Sequence, residues 1–356
     1  MDISDVCGMN LWDICRQEWS QQLLEIVGGD AVELESKLGK VELDGGAQLG
    51  HISNYFVSRY RFPKGLTPLV MVLILDCVIV PFTGDNPATV TSLPLAPMDS
   101  IISLGTSTTL LLTTKRYKPS PSYHIFNHPT TKGLYFAMLC YKNGSLAREE
   151  IRNKINDNSS PEWDKFNSIL SKTNVLGGSK RKLGFYFPLP EIIPDAPNGT
   201  WRFTLNDSLE PRIADTTGSW RPEDDVTAIV ESQALSMRLR AQPLTDGKPR
   251  HLYFVGGASK NADIVRVISE VLGSHEGVFR LTEGVTAGAC ARGAAIKAAW
   301  GYDGKGVGFE EFVRKRWNTQ GRLERIDIKN DESVWDIYGS VLDAYAKCEE
   351  IILKEK

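Results

Sequence analysis

At 356 residues the chain exceeds one ordinary core and points to about two domains, on a usual length of roughly 100–200 residues each. With 42% hydrophobic residues, 24% charged residues and a formal net charge of −3, it carries no electrostatic bias towards nucleic acid or an anionic membrane, although a local basic pocket for an acidic substrate would not show in that sum. The six cysteines, at 7, 15, 77, 140, 290 and 348, fall singly with no C-x-x-C pair and no His at ligand spacing, so neither a zinc site nor a disulfide framework is signalled and a reducing cytoplasm fits best.

The start, Met-Asp-Ile-Ser-Asp, lacks the basic and apolar segments of a secretory signal. From Asp2 to Gly29 the spacing predicts a short loop and then a helix ending at Gly28-Gly29. From Ala31 to Arg61 a helix is followed by an aromatic-rich segment that reads equally as strand or helix. Leu69 to Val80, LVMVLILDCVIV, is 12 residues long, short of the roughly 18–20 that span a bilayer, and reads as a buried strand or strand pair. After Pro81, β-branched runs broken by Gly turns (CVIVPFTG, IISLGTSTTLLLTT, YFAMLCYKNG, HLYFVGG) alternate with helical stretches and argue an α/β domain, in which a mixed sheet of five strands is expected.

Residues 144–172 read as helical and charged, and 173–220 as loop-rich, with Pro188, Pro190, Pro194, Pro197 and Pro211 as breakers. Helices are predicted over Asp225–Arg240, preceded by Pro222, and over about Asn261–Leu272. A third, over Thr286–Trp300, is dense in Gly and Ala that permit close backbone approach, and a last helix near 332–356 reads as a solvated cap.

Three Gly turns carry the candidate chemistry. In Thr83-Gly84-Asp85-Asn86-Pro87-Ala88-Thr89, a carboxylate at the end of an apolar strand can act as general base towards a hydroxyl, with Asn86 bonding a neighbouring one; the bland reading is a turn that caps the next helix. In Ser103-Leu104-Gly105-Thr106-Ser107-Thr108-Thr109, hairpin N–H groups and hydroxyls can cradle a phosphate, though many hairpins turn this way for conformational reasons alone. In Val255-Gly256-Gly257-Ala258-Ser259-Lys260-Asn261, a strand enters a Gly-Gly turn and then a helix whose positive end suits a phosphate. Its spacing is neither G-x-G-x-x-G nor G-x-x-x-x-G-K-[ST], and an ordinary strand-to-helix turn is the alternative.

In order, TGDNPAT, ISLGTSTT and VGGASKN resemble the C-terminal domain of the FGGY carbohydrate kinases. Longer words (DVCGMNLWDI, YFVSRYRF, CYKNGSLARE, LGFYFPLPEI, VESQALSMRLR) are similar to the eukaryotic, particularly fungal, xylulose kinases of that family. The resemblance covers nearly the whole chain. It implies an actin/hexokinase-like (ribonuclease H-like) α/β fold, the C-terminal domain of a two-domain sugar kinase, acting on D-xylulose with ATP and magnesium. It implies Asp85 as the catalytic base, Asn86 as a sugar contact, Gly105 and Thr106 at the β- and γ-phosphates, Gly256, Gly257, Ala258 and Asn261 around the α-phosphate and adenosine, and Trp163 lining the nucleotide. An aromatic such as Trp163 in a helical stretch is otherwise a core residue.

Two departures qualify that expectation. No D-x-G-[TS] phosphate loop occurs, so residues 1–79 read as the remnant of a first domain and 80–356 as the second domain with a helical cap. Roughly GLTPLVMVLIL, near 65–75, stands where family members pass directly to the VPFTGDNP segment, and it reads as a translated intron. Three functions stay open: a xylulose kinase, with this chain expected to be inactive alone because the phosphate loop is missing; a kinase for another pentulose; or a non-catalytic nucleotide-binding or interaction fragment of a sugar kinase.

Overall fold

A computed structural model describes residues 1–60, 77–214, 218, 220–282, 288–304, 306–316, 323–329 and 331–355. The chain forms two compact units. The first comprises Met1–Ala96, Phe126–Phe136 and Ala287–Thr319, and the second Pro97–Ile125, Ala137–Thr286 and Gln320–Lys356.

A mixed sheet of seven strands organises the fold. Its order is Leu323–Ile326, Gly277–Leu281, His251–Val255, Ser100–Leu104, Thr108–Thr114, Tyr135–Tyr141 and His124–Asn127. His251–Val255 runs parallel to both neighbours, while Ser100–Leu104 and Thr108–Thr114 form an antiparallel hairpin. Against the five strands expected over about 80–310, six of this sheet's strands among the described residues fall in that range and the seventh, Leu323–Ile326, follows it. The outermost pieces, LERI and HIFN, are four residues each and too short for an alternation signal. The central strands SIISL and TTLLLTT are apolar or Thr-rich and buried on both faces, as near-continuous runs should be.

Helix Pro222–Ala241 is the spine of the second unit, with sixteen of its twenty residues buried. Proline at its first position and Asp224, which accepts the Arg221 N–H at 2.7 Å, give it a defined start. Being surrounded, it carries no single apolar stripe, and its charged groups need partners inside the protein. Glu231 is one of them: its Oε1 accepts the Leu176 N–H at 2.8 Å and the Tyr338 O–H at 2.7 Å. Burial nevertheless pushes its carboxyl up to about 8, those two bonds opposing the rise. A carboxyl whose folded pKa is raised contributes stability that is complete below its unfolded value near 4.5 and is lost as pH rises through 8. Unfolding stability should therefore decline between about pH 5 and 8, by at most about 1.4 kcal/mol per unit from this group. Glu231→Gln should flatten that part of the profile, measured by urea melts at each pH, and an unchanged slope would remove the assignment.

Several expectations hold as drawn. Helices occupy Gln21–Gly28, Ala31–Leu38, Ser145–Ile155, Asp164–Lys172 and Ala262–Leu272. The ambiguous aromatic segment is a helix, Asn54–Tyr60. The Gly/Ala-rich stretch is the helix Ala289–Asp303, and close approach is realised: a Cβ at Gly293 would lie 1.7 Å from the Ala88 carbonyl oxygen.

Others are corrected. Residues 173–220 contain an antiparallel sheet of Lys182–Phe187, Gly199–Leu205 and Pro211–Ile213, because the five prolines fall between these strands or at the first residue of the last, where no ladder N–H is lost. The last segment is two helices, Glu332–Ser340 and Leu342–Lys354, and is no solvated cap: Tyr338, Tyr345, Cys348 and Ile352 are buried, and Arg240 pairs with Glu349 at 2.8 Å. Of the apolar stretch 69–80, residues up to 76 and the 65–75 insertion lie outside the described residues. Val78–Ile79 pairs with Gly50–His51 in a two-stranded sheet, and among the described residues Ile79 is exposed rather than buried.

Candidate functional site

In the second unit, two of the Gly motifs meet. Gly105 turns the hairpin, its N–H bonding the Ser107 carbonyl at 3.1 Å. Gly256, with φ +90°, lies against the residue before it: a Cβ there would stand 2.7 Å from the Leu104 carbonyl oxygen. Glycine is thus demanded at 256 both by the left-handed backbone and by the contact. Gly144 closes the same corner, since its Cβ would sit 2.7 Å from the Ser107 and Thr108 backbone, and Ser145 N–H bonds the Gly105 carbonyl at 3.0 Å. Three backbone segments therefore approach one another with no side chain between them.

They form the floor of a cavity of about 610 Å³, within the usual range for a small-molecule site. Leu104, Gly105 and Thr106 line it with Ser145 and Glu149 from one helix, Trp163 and Asn167 from the next, and Gly257, Ala258, Lys260, Asn261 and Ile264 from the strand-to-helix turn. All the expected nucleotide residues of this unit except Gly256, which supports the floor, are lining residues. Trp163 is not a core residue: it is half-buried on the wall, edge-on to Phe166 at 5.2 Å, with the Arg152 guanidinium 4.7 Å from its ring centre. Asn261 lines the cavity with its side chain already engaged. Its Oδ1 caps the helix Ala262–Leu272 at Ile264 N–H (3.2 Å), and its Nδ2 donates to Asn167 Oδ1 (2.7 Å). Asn167, Ser145 and Glu149 were not foreseen. Asn167 lay in a stretch legible only as helix, and the faint signal for the other two was Gly144-Ser145 opening a helix.

In the first unit, Asp85 is exposed in the first turn of the short helix Asp85–Val90. The turn does cap the helix, with Gly84 at the N-cap position and Asp85 one residue inside it. Asp85 Oδ1 accepts the Asn86 N–H at 2.7 Å and the Asn86 Nδ2 at 3.0 Å, so the two expected sugar residues form one polar pair. Gly84 has an ordinary φ of −66°, and a Cβ there would fall 2.3 Å from Asp5 Oδ1, so a side chain at 84 would have to displace the Asp5 carboxylate. The Asp5 carboxyl is raised by burial and by the Asp2 and Asp85 carboxylates.

Behind this turn, buried Asp2 accepts the N–H of Ser4 (3.1 Å) and Asp5 (2.8 Å) and the Thr83 hydroxyl (3.0 Å). Lys297 donates to the Pro81 carbonyl at 2.6 Å and stands 3.2 Å from Asp2. The chain leading into Asp85 is therefore tied at Pro81 and Thr83 to one buried ion pair.

Comparison with known proteins gives these motifs a context. Residues 101–302 match the FGGY family of carbohydrate kinases, C-terminal domain. The chain is 45% identical over 375 residues to the probable D-xylulose kinase A of Aspergillus fumigatus, and 45% identical over 366 residues to the xylulose kinase of Schizosaccharomyces pombe. In each case the alignment takes in 100% of this chain and 63% of the relative, so the chain spans just under two thirds of the relatives' length. Among solved structures, the xylulose kinase from Bifidobacterium adolescentis superposes with a TM-score of 0.68 at 20% identity, covering 98% of this chain and 62% of that one. The ligand-bound xylulose kinase from Lactobacillus acidophilus does so with a TM-score of 0.71 at 12% identity, over 99% and 64%. These likenesses establish the actin/hexokinase-like α/β fold. With more than half of the chain matched by the family's C-terminal domain, this chain belongs to the FGGY family of carbohydrate kinases.

Proposed function

We propose that the chain carries the nucleotide cavity and the proton acceptor of a kinase that phosphorylates D-xylulose to D-xylulose 5-phosphate with ATP. The carrying observation is the backbone-floored cavity, which gathers Gly105 and Thr106 with Gly257, Ala258, Asn261 and Trp163. Phosphates face the hairpin and the first turn of the helix Ser145–Ile155, whose N–H groups suit an anion, and the base lies along Trp163. Asp85 takes the proton of the sugar's 5-hydroxyl as that oxygen attacks the γ-phosphorus and ADP leaves, and Asn86 holds an adjacent hydroxyl. The names of the relatives support xylulose as the sugar.

Magnesium, in this reading, arrives on the nucleotide's phosphates. Among the described residues no group of three His, Cys, Asp or Glu side chains is placed to hold a metal, and Mg²⁺ commonly binds through substrate phosphates with retained water rather than in a protein cage. The reading is of a cytoplasmic enzyme, in keeping with six thiols that fall singly along the sequence. In it, residues 1–79 descend from the first domain of such a kinase and 80–356 form the second.

Calorimetric titration of the purified chain with ATP tests the cavity. Binding in the micromolar to millimolar range is expected, and Gly256→Ala should weaken it at least about tenfold while costing about 2 kcal/mol or more in stability, because the strained backbone and the Leu104 contact both oppose a side chain. No ATP binding would overturn the reading. ATP binding without xylulose-dependent ADP release is the outcome expected of this chain alone, since it contains no D-x-G-[TS] phosphate loop, and turnover near that of a full-length relative would refute that expectation.

A further inference from the structure

One buried charge in the second unit lacks the partner that its neighbours have. Arg148, in the helix Ser145–Ile155, has 0% of its surface exposed. Its guanidinium donates to Gln233 Oε1 and to Ser145 Oγ (3.1 Å), both neutral, and its Nε has no hydrogen-bond partner. No carboxylate lies within ion-pair distance among the described residues, and the charge that most supports it is that of exposed Glu149. Burial pulls its pKa down to about 10. Lys297 is matched by Asp2, Arg240 by Glu349 and Lys182 by Asp224, while Arg238, which likewise has no ion pair among the described residues, is met by the Val271 and Trp335 carbonyls and the Trp335 ring. A buried, uncompensated charge costs several kcal/mol and calls for a counter-charge from elsewhere.

The surroundings of Arg148 say where that counter-charge would sit. Ser145 is on the cavity wall, and its N–H bonds the Gly105 carbonyl at 3.0 Å. Because Ser145 Oγ accepts from Arg148, its own proton is free to be donated into the cavity. Gln233, the other partner, bonds the Asn143 carbonyl at 2.7 Å and the Gly144 carbonyl at 3.1 Å, so the guanidinium is braced against the turn that closes the phosphate corner.

We propose that Arg148 is a positioning residue whose buried positive charge is balanced by the phosphate oxygens of the bound nucleotide and is relayed to them through the Ser145 hydroxyl. The inference rests on the nucleotide reading of the cavity. Arg148 touches no ligand atom. It favours an anion at the hairpin through a short low-dielectric path and through the polarised Ser145 O–H. It therefore selects for a phosphorylated ligand over its uncharged nucleoside.

Calorimetric titration of the whole chain with ATP, adenosine and inorganic phosphate tests this. Arg148→Met should weaken ATP binding about tenfold or more while leaving adenosine within about twofold. Arg148→Lys, which keeps the charge, should recover most of the preference for ATP. A merely structural arginine predicts the opposite pattern, equal losses for ATP and adenosine with the lysine variant no better than methionine, and that result would overturn the proposal. Should Arg148→Met not fold, Ser145→Ala on the cavity wall carries the test: it should lose ATP affinity selectively, and an unchanged ratio of ATP to adenosine sinks the relay. Inorganic phosphate binding as tightly as ATP would assign the charge to a free anion and also end the proposal. A parent chain that binds neither ATP nor adenosine removes the cavity reading itself, whereas a parent that binds both with unaltered ratios in the variants removes this inference alone.

Discussion

Asp85→Asn is expected to lower kcat for D-xylulose phosphorylation by about 10²–10⁴-fold and to leave sugar affinity within a few-fold. Asparagine keeps the size of the side chain and an oxygen that can accept the Asn86 N–H, now bonded at 2.7 Å, so the turn should persist. What disappears is the capacity to take a proton. Gly84 already occupies the cap position, so a purely conformational role for Asp85 would reside in that one local bond, which the amide preserves. Steady-state kinetics with a coupled ADP readout separates the two, and a kcat within a few-fold of the parent would end the assignment. Because this chain alone, which contains no D-x-G-[TS] phosphate loop, is expected to show no turnover, parent and variant are compared after joining to the first domain of a full-length relative and without residues 65–75.

Lys297→Ala should destabilise the first unit by about 3–5 kcal/mol, the largest stability effect expected from a single change in that unit. Lys297 is 2% exposed and Asp2 is fully buried, so truncation leaves a carboxylate without its cation and the Pro81 carbonyl without its donor. Burial holds the Lys297 ammonium below its ordinary pKa, and Asp2 opposes that fall, which is the pattern of a pair that depends on its geometry. Thermal and urea melts give the size of the loss. Lys297→Ala combined with Asp2→Ala should be less costly than the sum of the two, because each single change strands the other charge. Strict additivity would mean that the two side chains do not act as a pair.

The sequence was a good guide where local chemistry decided the outcome and a poor one where partners came from far away. Pro222 followed by three acidic residues marked the start of the central helix to within three residues, because both signals act within its first turn. The LGTS hairpin and the GGASKN turn were legible as turns, since glycine and short polar residues are needed locally. Their convergence was carried by the motif resemblance alone: nothing in either segment states that Leu104 lies under Gly256. The three-stranded sheet in 182–213 was hidden by prolines that punctuate strands as readily as they break helices. The last two helices looked solvated because their charges are numerous, yet Glu349 is buried by an arginine 109 positions earlier. Nothing in the sequence marks Arg148 and Lys297 as buried, for the same reason. A side chain's burial is a property of what packs over it, and single-residue identity carries little of that.

The floor of the cavity is made of main chain, with Gly144 and Gly256 pressed against Ser107 and Leu104. A wall of this kind offers drift almost nothing to act on. The constraint gathers instead on two positions that have no side chain at all, where any replacement adds an atom with no room to stand.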